Sequence, residues 1–101
     1  MEITISKSDK KDKKFKAIVE DNSRKKTVHF GQAGASDMTQ HGDEKRKDRY
    51  ISRHRKREDW TKSGIDTAGF YSEHLLWNKD SFDKSFKDLK KKFLCITFTY
   101  K

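Results

Sequence analysis

The sequence predicts an α+β domain, a small antiparallel sheet of N-terminal strands, a hairpin and a C-terminal strand, covered by two or three helices. Three observations predict it. Apolar residues alternate at both ends of the chain, as strands require. Phe82, Phe86, Leu89 and Phe93 form a stripe at helical spacing. Seven Phe, three Tyr and two Trp supply apolar area for one small core, although only 31% of the 101 residues are hydrophobic and 41% are charged. Residues 1–101 are read as one basic domain.

The elements follow in order. Residues 2–6 (EITIS) put Ile3 and Ile5 on one face of a strand. Residues 7–14 are a flexible, lysine-rich loop. Residues 15–20 and 25–30 alternate again and flank the polar stretch DNSR, which reads as a β-hairpin. Residues 31–42 form a loop in which Ser36, Asp37 and Thr39 can bond nearby backbone groups. Residues 43–59 contain neither Gly nor Pro and start with acids, so they read as the longest helix. Its only apolar residues are Tyr50 and Ile51, so it lies on the surface. Residues 60–71 form a second loop, which Trp60, Ile65, Phe70 and Tyr71 pin to the core. Ser72 caps a short helix that buries Leu75, Leu76 and Trp77. Residues 81–93 carry the apolar stripe, with Asp80 and Asp83 as a capping box. Residues 94–100 close the sheet, with Leu94, Ile96, Phe98 and Tyr100 on one face and a buried Cys95 on the other.

Net charge is +9, with 25 Lys and Arg against 16 Asp and Glu, which favours an anionic partner. Part of this charge is sorted. On the long helix, Lys45, Arg49, Arg53 and Lys56 form one stripe, widened by Arg46 and Arg57. From Lys45 to Lys56 the stripe runs about 16 Å, enough to meet several backbone phosphates. Arginine at these places suits bidentate phosphate contacts. A merely solvated helix would pair opposite charges at i and i+4, whereas Glu44–Asp48 and Arg49–Arg53 are like-charged. Lys13 and Lys14 in the first loop, and Arg24 and Lys25 at the hairpin, add candidate phosphate contacts. The lysines of residues 84–92 form a third basic surface.

Other chemistry is weakly signalled. One cysteine cannot make an intrachain disulfide. His29, His41, His54 and His74 match no zinc spacing, and no metal or cofactor is expected. No apolar run suggests a signal peptide or a membrane span, so a protein that is neither secreted nor membrane-bound is expected. Asp37, His41, Asp43, Glu44, His54 and Glu58 could in principle supply a metal-dependent nuclease site, but they read equally well as caps and ion pairs.

The middle of the chain also carries a resemblance. VHFG (28–31), SDMT (36–39), DEKRK (43–47), YISRH (50–54), Glu58, Trp60, Gly64, TAGFYS (67–72) and LLW (75–77) resemble a small uncharacterised domain family of large double-stranded DNA viruses. The resemblance covers about residues 27–92, and Met38 and Gly42 depart from its pattern, which commonly has an aromatic residue and a lysine there. It implies a viral protein in the virion, or in the cytoplasm or nucleus of the host, and a functional surface around His41, Arg46, Tyr50, Arg53, His54 and Trp60. The same residues could equally hold the loops. The expectation is a non-enzymatic nucleic-acid-binding accessory or packaging protein, with duplex DNA the first partner considered. The alternatives are a virion structural or cementing protein on acidic protein surfaces, and the nuclease.

Overall fold

The computed structural model describes residues 1–101. Strands β1 (Glu2–Lys7), β2 (Lys13–Asp21), β3 (Arg24–Gln32) and β4 (Thr97–Tyr100) pair in the order β3-β2-β1-β4. The fold class is the expected α+β arrangement. One pairing differs: β1 and β2, and β2 and β3, are antiparallel, but β4 lies parallel to β1. Alternation tells which face a residue occupies. It does not tell which neighbour a strand takes, and the helices between β3 and β4 carry the chain back to enter the sheet in the direction of β1.

The register places Ile3, Ile5, Ala17, Val19, Val28, Phe30 and Phe98 on one face, all buried. The β1–β2 connection is shorter than the expected 7–14 loop, because the strands extend to Lys7 and from Lys13, and the Ser8 amide donates to the Lys14 carbonyl. At the other end of the sheet Asn22 turns the hairpin in the left-handed region, with φ of 56°.

Helices α1 (Met38–His41), α2 (Glu44–His54), α3 (Ala68–Tyr71) and α4 (Phe82–Lys92) lie between β3 and β4. α3 runs on into a π-helical turn, Ser72–Leu76, closed by a bond from the Trp77 amide to the Ser72 carbonyl at 3.0 Å. The cap of this helix is therefore Thr67, and Ser72 lies inside it. α4 is capped by Ser81, whose hydroxyl accepts from the Lys84 amide, while Asp80 pairs with the Lys84 ammonium. This replaces the expected Asp80–Asp83 box.

The core joins the buried sheet face to Phe70, Tyr71, Leu75, Leu76 and Leu89. Phe82 stacks on Phe15, with ring centres 4.9 Å apart, and Tyr100 meets Phe82 edge-on. Leu94 and Cys95 are exposed, contrary to the strand reading, because they form the turn that leaves α4 and the strand begins only at Thr97. Ile96 stays buried.

α2 ends at His54, not at residue 59. Past Tyr50 and Ile51 no apolar side chain remains to hold further turns against the protein. Tyr50 is the one buried residue of α2, and its ring lies 4.4 Å from Trp77 with 5° between the planes. That stack anchors the helix.

Candidate nucleic-acid interface

α2 begins at Asp43, whose carboxylate accepts from the Lys45 and Arg46 amides. Capping at this position starts the helix in a fixed register. The register sends Arg46, Arg49 and Arg53 (i, i+3, i+7) to one side, facing the Gly31–Asp37 loop. An open depression of about 710 Å³ between them is lined by these three arginines and one carboxylate, Asp48, with Ala35, Ser36, Ser52 and Trp77. A second cavity of about 360 Å³ adjoins it, sharing Arg53, Ser36 and Trp77, and reaches under the helix. Lys13 and Gln32 rim this cavity from the ends of β2 and β3, and Ser72, Leu76 and Trp77 line it from the π turn.

The sequence-predicted cations fall into three groups. Arg46, Arg49, Arg53 and Lys13 line the cleft, and none of them is in an ion pair. Lys14 also lines it, but its ammonium bonds Asp37 at 2.5 Å and Gln40 at 2.9 Å, so its charge is already matched. Asp37 in turn caps α1, accepting from the Thr39 amide and hydroxyl. Lys45 is exposed outside the cleft, and Lys56 and Arg57 lie beyond the end of α2, so of the expected widened stripe only Arg46, Arg49 and Arg53 line the cleft. Arg24 and Lys25 sit at the far end of the sheet, about 26 Å along β2 from Lys13. They border a separate depression with Asp21 and Asp66, so the basic surfaces do not merge there.

The two basic helices differ in kind. On α4, Lys84, Lys87 and Lys92 each pair with an aspartate one turn earlier, at 3.1, 3.2 and 3.0 Å. Burial is slight there, and such pairs mainly neutralise the surface. The α2 arginines have no such partners.

Sequence reasoning named Tyr50, His54 and Glu58 but did not bring them together as the inner wall of the cleft. Glu58 lies in it, with its Oε2 buried, without a hydrogen-bond partner, and 3.4 Å from His54 Nδ1. His54 stacks on Tyr50 at 4.2 Å, which continues the column from Trp77. Burial, helped by the Glu58 charge, pushes the Tyr50 phenol far above its ordinary range. Gly69 makes room for Glu58, since a Cβ there would stand 2.5 Å from Glu58 Oε1. Gly31 has φ of +79°, and a Cβ on it would meet Leu76 at 2.8 Å, so bulk is excluded at the cleft floor as well. Trp60 is half-buried, its indole Nε1 is buried without a hydrogen-bond partner, and its carbonyl accepts from His74 Nε2 at 2.8 Å. The one signal available in the sequence was Glu58 standing one turn after His54.

No group of three or more His, Cys, Asp or Glu side chains converges as a metal site would require. Of the residues named for the nuclease alternative, Asp37, His54 and Glu58 line the cavity of about 360 Å³, and Asp37 and Asp43 serve as helix caps. No helix is long and apolar enough to cross a membrane.

A family model described as "Family of unknown function (DUF5754)" matches residues 3–54, just over half of the chain. The chain belongs to this family. No curated protein and no solved structure matches it. The DUF5754 segment runs from β1 to the end of α2, and so holds the three arginines, Lys13, Tyr50 and His54. Glu58, Gly69 and Trp77 come from the remainder of the chain.

Proposed function

We propose that this DUF5754 protein binds nucleic acid, with consecutive phosphates of one strand on Arg46, Arg49 and Arg53 and Lys13 across the cleft. Successive arginines rise about 4.5 and 6 Å along the helix, a spacing that suits neighbouring phosphates. The observation that carries the reading is the pairing contrast: three of the five α4 lysines, Lys84, Lys87 and Lys92, are matched by aspartates, whereas none of the three cleft arginines is in an ion pair. Its role is that of a binding accessory or packaging protein, not a catalyst. The resemblance to a domain of large DNA viruses supports a setting close to a viral genome.

The test is fluorescence anisotropy with labelled single-stranded and duplex oligonucleotides over a salt series, with poly-glutamate as competitor. Binding that weakens steeply with salt, and that nucleic acid outcompetes at equal charge, is expected. Poly-glutamate competing as well as nucleic acid would instead favour an acidic protein surface as the partner.

A further inference from the structure

We infer that the cavity beneath α2 receives one unpaired nucleobase, guanine by preference, whose donor edge is read by Glu58. The inference rests on the nucleic-acid reading above and names what the cleft selects. A cavity of about 360 Å³ lies in the range of sites that enclose small molecules. Its mouth is cationic, through Arg53 and Lys13, and its adjoining depression carries Arg46 and Arg49. Such a rim favours a ligand that brings its own anionic group and leaves it outside. Its inner wall is the opposite: a carboxylate, Glu58, whose buried Oε2 accepts no hydrogen bond and has His54 Nδ1 3.4 Å away as its nearest cationic partner.

The occupant must therefore combine an external phosphate with an internal pair of hydrogen-bond donors. A nucleotide does so. Among the bases, guanine alone presents two adjacent donors, N1–H and the 2-amino group, on its pairing edge, the geometry that a carboxylate accepts with both oxygens. Adenine and cytosine each place an acceptor beside their amino group, and thymine offers a single N–H between two carbonyls. A base read on that edge is unpaired, which means a single strand or a base turned out of a duplex. The wall beside Glu58 is aromatic, the column of Trp77, Tyr50 and His54. It stands on a π-helical turn, a rare geometry that recurs at functional sites.

The experiment measures anisotropy of labelled fifteen-residue oligo-dT strands carrying at their centre dG, deoxyinosine, dA, dC or dT. The dG strand should bind about tenfold more tightly than the dT strand, the gain expected when hydrogen bonds reach a charged acceptor. Deoxyinosine, which lacks the 2-amino group, should lose most of that gain without any change to the protein. Glu58→Gln, and separately Gly69→Ala, which displaces Glu58, should make the five strands alike while keeping the salt-dependent affinity for plain dT. Five equal affinities in the wild type, with dT still bound, would overturn the base site and leave the phosphate cleft standing. A guanine preference that survives Glu58→Gln would remove Glu58 from the role. If no strand binds at all, the cleft reading fails and the base site with it.

Discussion

Replacing Arg46, Arg49 and Arg53 together by alanine tests the cleft most directly. All three side chains are exposed and unpaired, so their loss strands no buried partner and should leave the melting temperature within a degree or two of the wild type. The effect belongs to binding. Each neutralised phosphate releases condensed counterions, adding about 0.7 to the log–log salt slope on a single strand and about 0.9 on a duplex. Three contacts then amount to a slope of about 2 or about 2.7 respectively. Between about 50 and 200 mM salt the wild type should therefore lose about 16-fold more affinity for a single strand than the variant loses, and about 40-fold more for a duplex. Anisotropy across that range gives both slopes. The matched control is Lys84, Lys87 and Lys92 changed to alanine on α4, whose charges are already paired and whose loss should move the slope by less than about 1. Equal slopes for wild type and arginine variant, or a larger change from the α4 control, would refute the reasoning.

Three further perturbations follow from the structure. Trp77→Ala removes the ring that anchors α2 and should cost about 2–3 kcal/mol, below the value for a fully buried aromatic, with hydrogen exchange showing α2 amides losing protection before those of the sheet. Lys14→Met leaves Asp37 buried and charged without its cation and should cost about 2–3 kcal/mol by urea denaturation with little effect on nucleic-acid affinity, whereas Lys13→Met should do the reverse. His74 is packed against Phe70 and Phe93, and its burial lowers the ring's proton affinity, outweighing the Trp60 carbonyl and Glu73, which act the other way. The unfolded chain then binds the proton more readily than the fold, so stability is full above the free histidine's 6.5 and is lost as pH falls through the depressed folded value. Melting temperature against pH should show this decline, and His74→Gln, which can still donate to Trp60, should flatten it.

Much of the fold was legible because burial is periodic. β1, β2, β3 and α4 follow from alternation or from the 82–86–89–93 stripe, whose centre, Leu89, is fully buried. The junctions were less so. Nothing in LCITFTY marks that its first two residues serve as a turn, since an exposed leucine in an apolar run looks like a strand residue. The end of α2 was hidden for a related reason. Residues 55–59 contain no breaker, and the helix stops where packing stops. The π turn has no sequence signature at all. Of the site, the cations could be read from charge, but their freedom could not. Lys14 and Lys13 are adjacent and identical in sequence, and only the fold brings Asp37 to one of them. The cavity was invisible because its walls come from segments far apart, and because Glu58 and Gly69 lie in stretches that sequence alone assigns to a helix tail and a packed loop.

The division of charge within the molecule is itself evidence about α2. A helix that serves only to be solvated is most stable with its charges paired along the turn, as Lys84, Lys87 and Lys92 are on α4. α2 forgoes that arrangement, setting Arg49 one turn before Arg53 and Glu44 one turn before Asp48, each repulsive by a few tenths of a kcal/mol. It is also thinly attached, by the single buried Tyr50. A surface helix with unmatched arginines and one anchor contributes little to the core and carries a standing electrostatic cost. An anion seated between Arg46, Arg49 and Arg53 offsets that cost, and the same repulsion that weakens the free helix becomes attraction in the complex. The sheet and α4 hold the domain together, and the repulsion along α2 is the cost that the proposed binding of an anion would relieve.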